Sequence, residues 1–217
     1  MSYIEDKYEA YKSPTTKDNG VLYNKLGIDD VDELNKAERM ITSYKLAQLF
    51  LQPVNGNFDV NHFLSIHKYL FDDIYPFAGT IRTETISRGQ LLFCLPNLIL
   101  VNLRDTLNRA KKQIPSITDR EKLITFITTL YSDLDIIHSF REGNGRTERE
   151  FIRQYVDYIC KVNHLEPYYV DYQYLADHRE EYINAVILAD ALMQYEDLHM
   201  LFDTALSIKQ EQPKKEH

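Results

Sequence analysis

At 217 residues, 44% apolar and 27% charged, the chain has ordinary globular composition and enough length to bury a substantial core, which argues against a disordered protein. A formal charge of -8 argues against a protein whose main work is holding phosphodiester backbones, and so against nucleic acid as a partner, although a local group of arginines can still hold a small anion. The only two cysteines, Cys94 and Cys160, lie far apart in apolar surroundings, which fits a reducing cytoplasm better than a disulfide framework or a CxxC metal knuckle.

The start, MSYIEDKYEAYK, carries acids early and lacks the apolar core of a signal peptide. Residues 1–21 are expected to form an arm ending in the turn-rich run Ser13 to Gly20. From Asp30 the apolar positions 31, 34, 37, 40, 41, 44 and 46 recur at helical spacing, and QPVNGN at 52–57 should stop that helix. Asp59 offers an N-cap for a second helix with Val60, Phe63, Leu64, His67, Leu70 and Phe71 on one face. The segment Ile81 to Ser87 is rich in Thr and Ile, Arg88-Gly89-Gln90 is a turn signal, and Leu91 to Cys94 is apolar again, so a short β-hairpin is predicted here as the only credible β element. Helical patterns resume over 98–114, 118–137, 146–162, 172–189 and 195–207, and the charged end 208–217 reads as a tail. The longest apolar stretch, Leu91 to Leu103, is broken by Pro96 and Asn97 and is too short to cross a bilayer, so no membrane role is expected. The chain reads as a soluble, cytoplasmic, mainly α protein, and delivery into another cell is compatible with that reading.

Between two of the most hydrophobic helices lies HSFREGNGRTER, His138 to Arg149. A glycine-containing turn feeding a buried helix gathers backbone N–H groups and the positive end of the helix dipole at one point, which is a ready anion site. Arg146, Arg149 and Arg153 follow at i, i+3 and i+7, where positive side chains oppose the dipole and call for an anionic partner such as a polyphosphate. Glu142 supplies an oxygen ligand suited to Mg²⁺, and His138 is the one group able to take a proton near neutral pH. Together they suit attack of a hydroxyl on a nucleotide phosphate. Each residue taken singly also has a structural reading: His138 as a core or capping residue, Glu142 as a solvated loop acid, Gly143-Asn144-Gly145 as a turn, and the arginines as partners of Glu148, Glu150 or Asp157 on their own helix. Their joint occurrence in twelve residues favours the functional one. The other histidines, at 62, 67, 164, 178, 199 and 217, have no zinc-site spacing, no P-loop pattern occurs, and the tyrosines at 168, 169, 172 and 174 fit packing better than a nucleic-acid platform.

HSFREGNGRTER resembles the Fic motif, H-x-F-x-[D/E]-G-N-G-R-x-x-R, at every specified position, and HKYLFDDIYPFAGTIR (67–82) and YINAVILADALMQYEDL (182–198) are similar to other segments of that family. The likeness covers roughly residues 22–202, which places a Fic domain at 22–207. It implies an all-α fold, a helical bundle with one short β-hairpin flap. It also implies Mg²⁺-dependent transfer of AMP from ATP to a Ser, Thr or Tyr hydroxyl of a protein, with the chain itself among the possible targets. By the same resemblance His138 would deprotonate the hydroxyl, Glu142 would hold Mg²⁺, Gly143, Asn144 and Gly145 would cradle phosphate, Arg146 and Arg149 would neutralise the β and γ phosphates, and Phe140 would anchor the loop. The flap, Thr83, Glu84, Thr85, Ile86, Ser87, Arg88 and Gly89, would pair with an extended stretch of the target. A small structural hairpin is the other reading of that segment.

Ser139 stands where most relatives have proline, and no stretch fits the family's inhibitory [S/T]-x-x-x-E-[G/N] fully; the nearest is SIKQEQ at 207–212. Control would then come from a separate small protein or be missing. The alternatives within the fold are transfer of a phosphate, another nucleotide or phosphocholine, with Gly145 favouring the nucleotidyl route. A nucleotide-binding module without turnover is the alternative outside it. Oligomeric state is open, a homodimer included.

Overall fold

The computed structural model describes residues 14–208. Eight α-helices account for most of them: α1 Val31–Leu51, α2 Val60–Phe71, α3 Pro96–Gln113, α4 Arg120–Ile137, α5 Asn144–Val162, α6 Tyr172–Asp177, α7 Arg179–Leu192 and α8 Glu196–Ala205. The predicted Asp59 cap forms, its carboxylate accepting from the His62 N–H, and the Asp30 carboxylate likewise accepts from the Glu33 N–H, each satisfying an orphan donor of the first turn. The predicted single helix over 172–189 is two, divided at His178, whose ring Nδ1–H donates to the Tyr174 carbonyl at 2.9 Å. The helix predicted from Arg146 begins two residues earlier, because Gly143 adopts φ +83 and lets Asn144 enter the helix directly.

The chain divides into two compact units, one made of the residues through Arg109 together with Asp133–Phe151, the other of Ala110–Ser132 and the residues from Ile152 onward. In the first unit the predicted hairpin is present but shorter than expected. Only Ser87–Arg88 (β1) and Leu91–Leu92 (β2) pair, antiparallel, with Ser87 opposite Leu92. Residues 81–86 form no strand: the buried Arg82 guanidinium bonds the carbonyls of Glu84, Cys94, Ile137 and His138, and the Ile86 carbonyl accepts from the Phe93 N–H at 3.2 Å. Residues 14–22 fold onto this unit: Thr16 pairs with Leu22, Val21 is buried, and the Thr15 hydroxyl donates to Glu84 at 2.8 Å.

The second unit contains a strand pair that the sequence did not predict. Tyr168–Val170 (β3) pairs antiparallel with Leu206–Ile208 (β4), Tyr169 opposite Ser207. Three-residue strands with residues 171–205 between them leave no period-2 signal. Arg120 bonds Asp203 and the Leu206 carbonyl, and Tyr131 packs edge-on to Phe202. Ser207, the start of the SIKQEQ segment, therefore lies in a strand, and the rest of that segment falls outside the described residues, as do residues 1–13 of the expected arm.

Candidate active site

The loop between α4 and α5 is held by its own side chains. The Asn144 amide accepts from the Phe140 N–H and donates to the Phe140 carbonyl, both at 2.8 Å, closing residues 140–144 into a ring. Phe140 is fully buried, stacked on His67 with centroids 3.7 Å apart and on Phe63 at 5.4 Å. The Thr147 hydroxyl and N–H both reach the Gly143 carbonyl. Gly143 has no room for a side chain: a Cβ there would lie 2.2 Å from the Phe71 ring. So Phe140 occupies the anchoring position, and the Asn144 side chain turns back onto the loop instead of outward.

In the sequence His67 stands on the apolar face of the second helix and opens the family-like segment 67–82. Its Nδ1 accepts from the Gly79 N–H at 2.8 Å, so its Nε2–H donates to the Glu142 carbonyl at 2.9 Å. Burial pushes its pKa down to about 3, outweighing the bond to Glu142, and the ring works as a neutral bracket for the loop. No local pattern distinguishes such a histidine from its apolar neighbours.

His138 follows α4 with φ +46 and is only 1% exposed, its ring stacked on Phe93 at 3.9 Å. Burial lowers its pKa to about 4 although the Asp135 carboxylate works the other way. Nδ1 lies 3.0 Å from the main-chain oxygen of Asp135, which can only accept, so Nδ1 carries the proton. Phe93 covers a face of the ring.

The two neutral rings set a pH dependence of stability. Both histidines have folded pKa values below the unfolded 6.5, so the unfolded chain binds more protons and stability is lost as pH falls below 6.5. At pH 5 each ring costs about 2 kcal/mol. Glu142, whose carboxyl is pushed up, offsets part of this. The melting temperature is expected to fall by several degrees between pH 7 and pH 5, and less in His67→Gln, whose amide keeps both hydrogen bonds without titrating. A melting temperature flat over that range in the native protein would contradict the assignment.

Glu142 and Arg146 sit in a cluster the sequence did not reveal. Arg146 donates to Glu38 and to Thr42 (3.2 Å) of α1 and to Glu142 (3.1 Å), with its guanidinium 4.8 Å over the Phe71 ring. Tyr75 also donates to Glu38. Burial and the Glu38 carboxylate push the Glu142 carboxyl up, against the opposing pull of Arg146. Two carboxylates beside one guanidinium are an oxygen-rich setting in which a hard cation can replace a proton, so the donor set fits Mg²⁺ and Glu142 could hold it. The Arg149 guanidinium lies over Gly145, where a Cβ would meet its Nη1 at 2.9 Å. Arg153 pairs with Asp157 at 3.1 Å. In the flap, Thr83, Thr85 and Gly89 are exposed, Glu84 and Ile86 are buried, and Ser87 and Arg88 are half-buried.

Residues 57–156 match the Fic/DOC family. They form a Fic domain. The chain is 34% identical over 150 residues to the protein adenylyltransferase VbhT of Bartonella schoenbuchensis, covering 68% of this chain and 31% of that protein, so it spans about a third of that relative. It is 27% identical over 167 residues to the probable protein adenylyltransferase y4lH of Sinorhizobium fredii, covering 74% of this chain and 85% of the relative. The crystal structure of the BepC protein of Bartonella tribocorum with bound AMPPNP shares the fold at a TM-score of 0.74 and 20% identity, over 92% of this chain and 96% of that one. Among the described residues of the Fic-domain protein, no helix is long and apolar enough to cross a membrane.

Proposed function

We propose that this protein is an Mg²⁺-dependent protein adenylyltransferase that moves AMP from ATP to a Ser, Thr or Tyr hydroxyl of a protein and releases pyrophosphate. The observation that carries the reading is the hold on His138: its Nδ1–H donates to the Asp135 carbonyl, which orients the ring a few residues before the glycine loop. The names of the relatives and the AMPPNP bound to a protein of the same fold support the nucleotide class.

In this reading the target hydroxyl gives its proton to His138 Nε2 as its oxygen attacks the α-phosphorus, and the bond to the bridging oxygen of the leaving pyrophosphate breaks in line. The N–H groups at the start of α5 and the Arg149 guanidinium over Gly145 face the negative charge of the leaving group. Arg146 is held by Glu38, Thr42 and Glu142, so it contributes charge at a fixed position. Glu142 holds Mg²⁺, which when bound neutralises charge on the α and β phosphates. The flap aligns the target by main-chain pairing, and the outward Thr83 and Thr85 alternating with inward Arg82, Glu84 and Ile86 suit that use. Because His138 is only 1% exposed, the hydroxyl gains Nε2 only when the residues packed over the ring shift, Phe93 beside the hairpin among them.

Incubation with a candidate target and ATP labelled at the α position, or separately at the γ position, tests the reaction class. Only the α label should remain on protein. Retention of the γ label would make the reaction a phosphate transfer, and retention of neither, with ATP still bound, would make the protein a binding module.

A further inference from the structure

We infer that Arg88 of the hairpin and Asp135 of α4 are a pair of positioning residues that set the proton affinity of His138 from opposite sides. The inference rests on the reading of His138 as the proton acceptor and names the residues that regulate it.

Asp135 lies one turn before His138. Its main-chain oxygen fixes the Nδ1–H, and its carboxylate oxygen Oδ1 is 4.0 Å from the same nitrogen. That carboxylate is 3% exposed and is gripped by both arms of Arg88, Nη1 to Oδ2 at 2.8 Å and Nη2 to Oδ1 at 3.3 Å. Arg88 also lies 5.1 Å from the centre of the Phe93 ring that covers the imidazole. One side chain of the hairpin thus touches both the carboxylate beside the base and the ring above it. Among the described residues, Arg82, whose Nε donates to the His138 carbonyl at 2.6 Å, and Glu148 of α5, whose carboxylate lies within 4.8 Å of His138 and Asp135, also face His138.

Proton uptake turns the imidazole into a cation. The Asp135 carboxylate favours that cation, and Arg88 opposes it directly and by neutralising Asp135. A hairpin shifted by a bound target carries Arg88 away from Asp135, which frees the carboxylate to face the Nδ1–H. The base is then strongest when a target is engaged, and a closed hairpin keeps it weak.

The test is the pair Arg88→Gln and Asp135→Asn, with the double variant as control. The acid midpoint of protein labelling with α-labelled ATP should move up by about half to one pH unit in Arg88→Gln and down by a similar amount in Asp135→Asn. The double variant, whose two amides can still bond each other, should return to within about 0.3 unit of the native midpoint. ¹⁵N NMR of the His138 ring should give the same order of midpoints with no substrate present, so the inference is tested even if labelling is absent in the native protein; that absence would instead remove the proposed function. Shifts in the same direction, or no shift while labelling falls in step with melting temperature, would overturn the inference and leave the pair a structural clamp.

Discussion

Replacing His138 by asparagine should lower transfer of the α label to protein by about 10²–10⁴-fold, while the Kd for ATP with Mg²⁺ changes by less than about threefold. Asparagine suits the test because it tolerates the positive φ of +46 at this position, whereas most residues would strain there. Its amide cannot accept and keep a proton near neutral pH. Loss of packing against Phe93 should cost stability, so labelling is compared below the melting temperature of the variant. Labelling that persists within threefold of the native rate would show that proton removal is not the work of this ring.

Gly143→Ala should be the most destabilising small change in the loop, by about 2–5 kcal/mol, from strain at φ +83 and from a Cβ placed 2.2 Å from Phe71. Phe71 has nowhere to go. It is fully buried, stacks on His67 at 4.7 Å and underlies the Arg146 guanidinium at 4.8 Å, so a shift of its ring disturbs both supports of the loop. Gly145→Ala makes the informative contrast. Its Cβ would meet only the far end of the Arg149 side chain and no backbone or ring atom, so the stability change should stay within about 1 kcal/mol while ATP affinity falls. Thermal melts and nucleotide titrations of the two variants check this separation. Equal destabilisation of both would mean that Phe71 yields more readily than its packing indicates.

Arg146 illustrates the limit of reading a motif. Its spacing from Arg149 and the glycines marks it as part of an anion site, yet its guanidinium is spent on Glu38, 108 residues earlier in the chain, and on Glu142. Glu38 is a single acid in a helix full of charges, and nothing in its neighbours marks it as buried. Arg82 is similar: an arginine in an extended run that proves to bind four carbonyls and so shapes the flap. The helices before and after the loop were legible because apolar periodicity and caps are local, while the strand pair of Tyr168–Val170 with Leu206–Ile208 was not, because its partners meet only through the fold.

By itself the sequence determined which chemical groups stand together in the twelve residues from His138 to Arg149, and the helix pattern that buries the segments on either side, since both depend on neighbours a turn or two away. The tertiary structure alone decided what those groups can do. His67 bracing the Glu142 carbonyl from 75 residues away, Phe93 roofing the imidazole and Arg88 gripping Asp135 are contacts between distant segments, and burial, which sets the proton affinity of His138, exists only once they have packed.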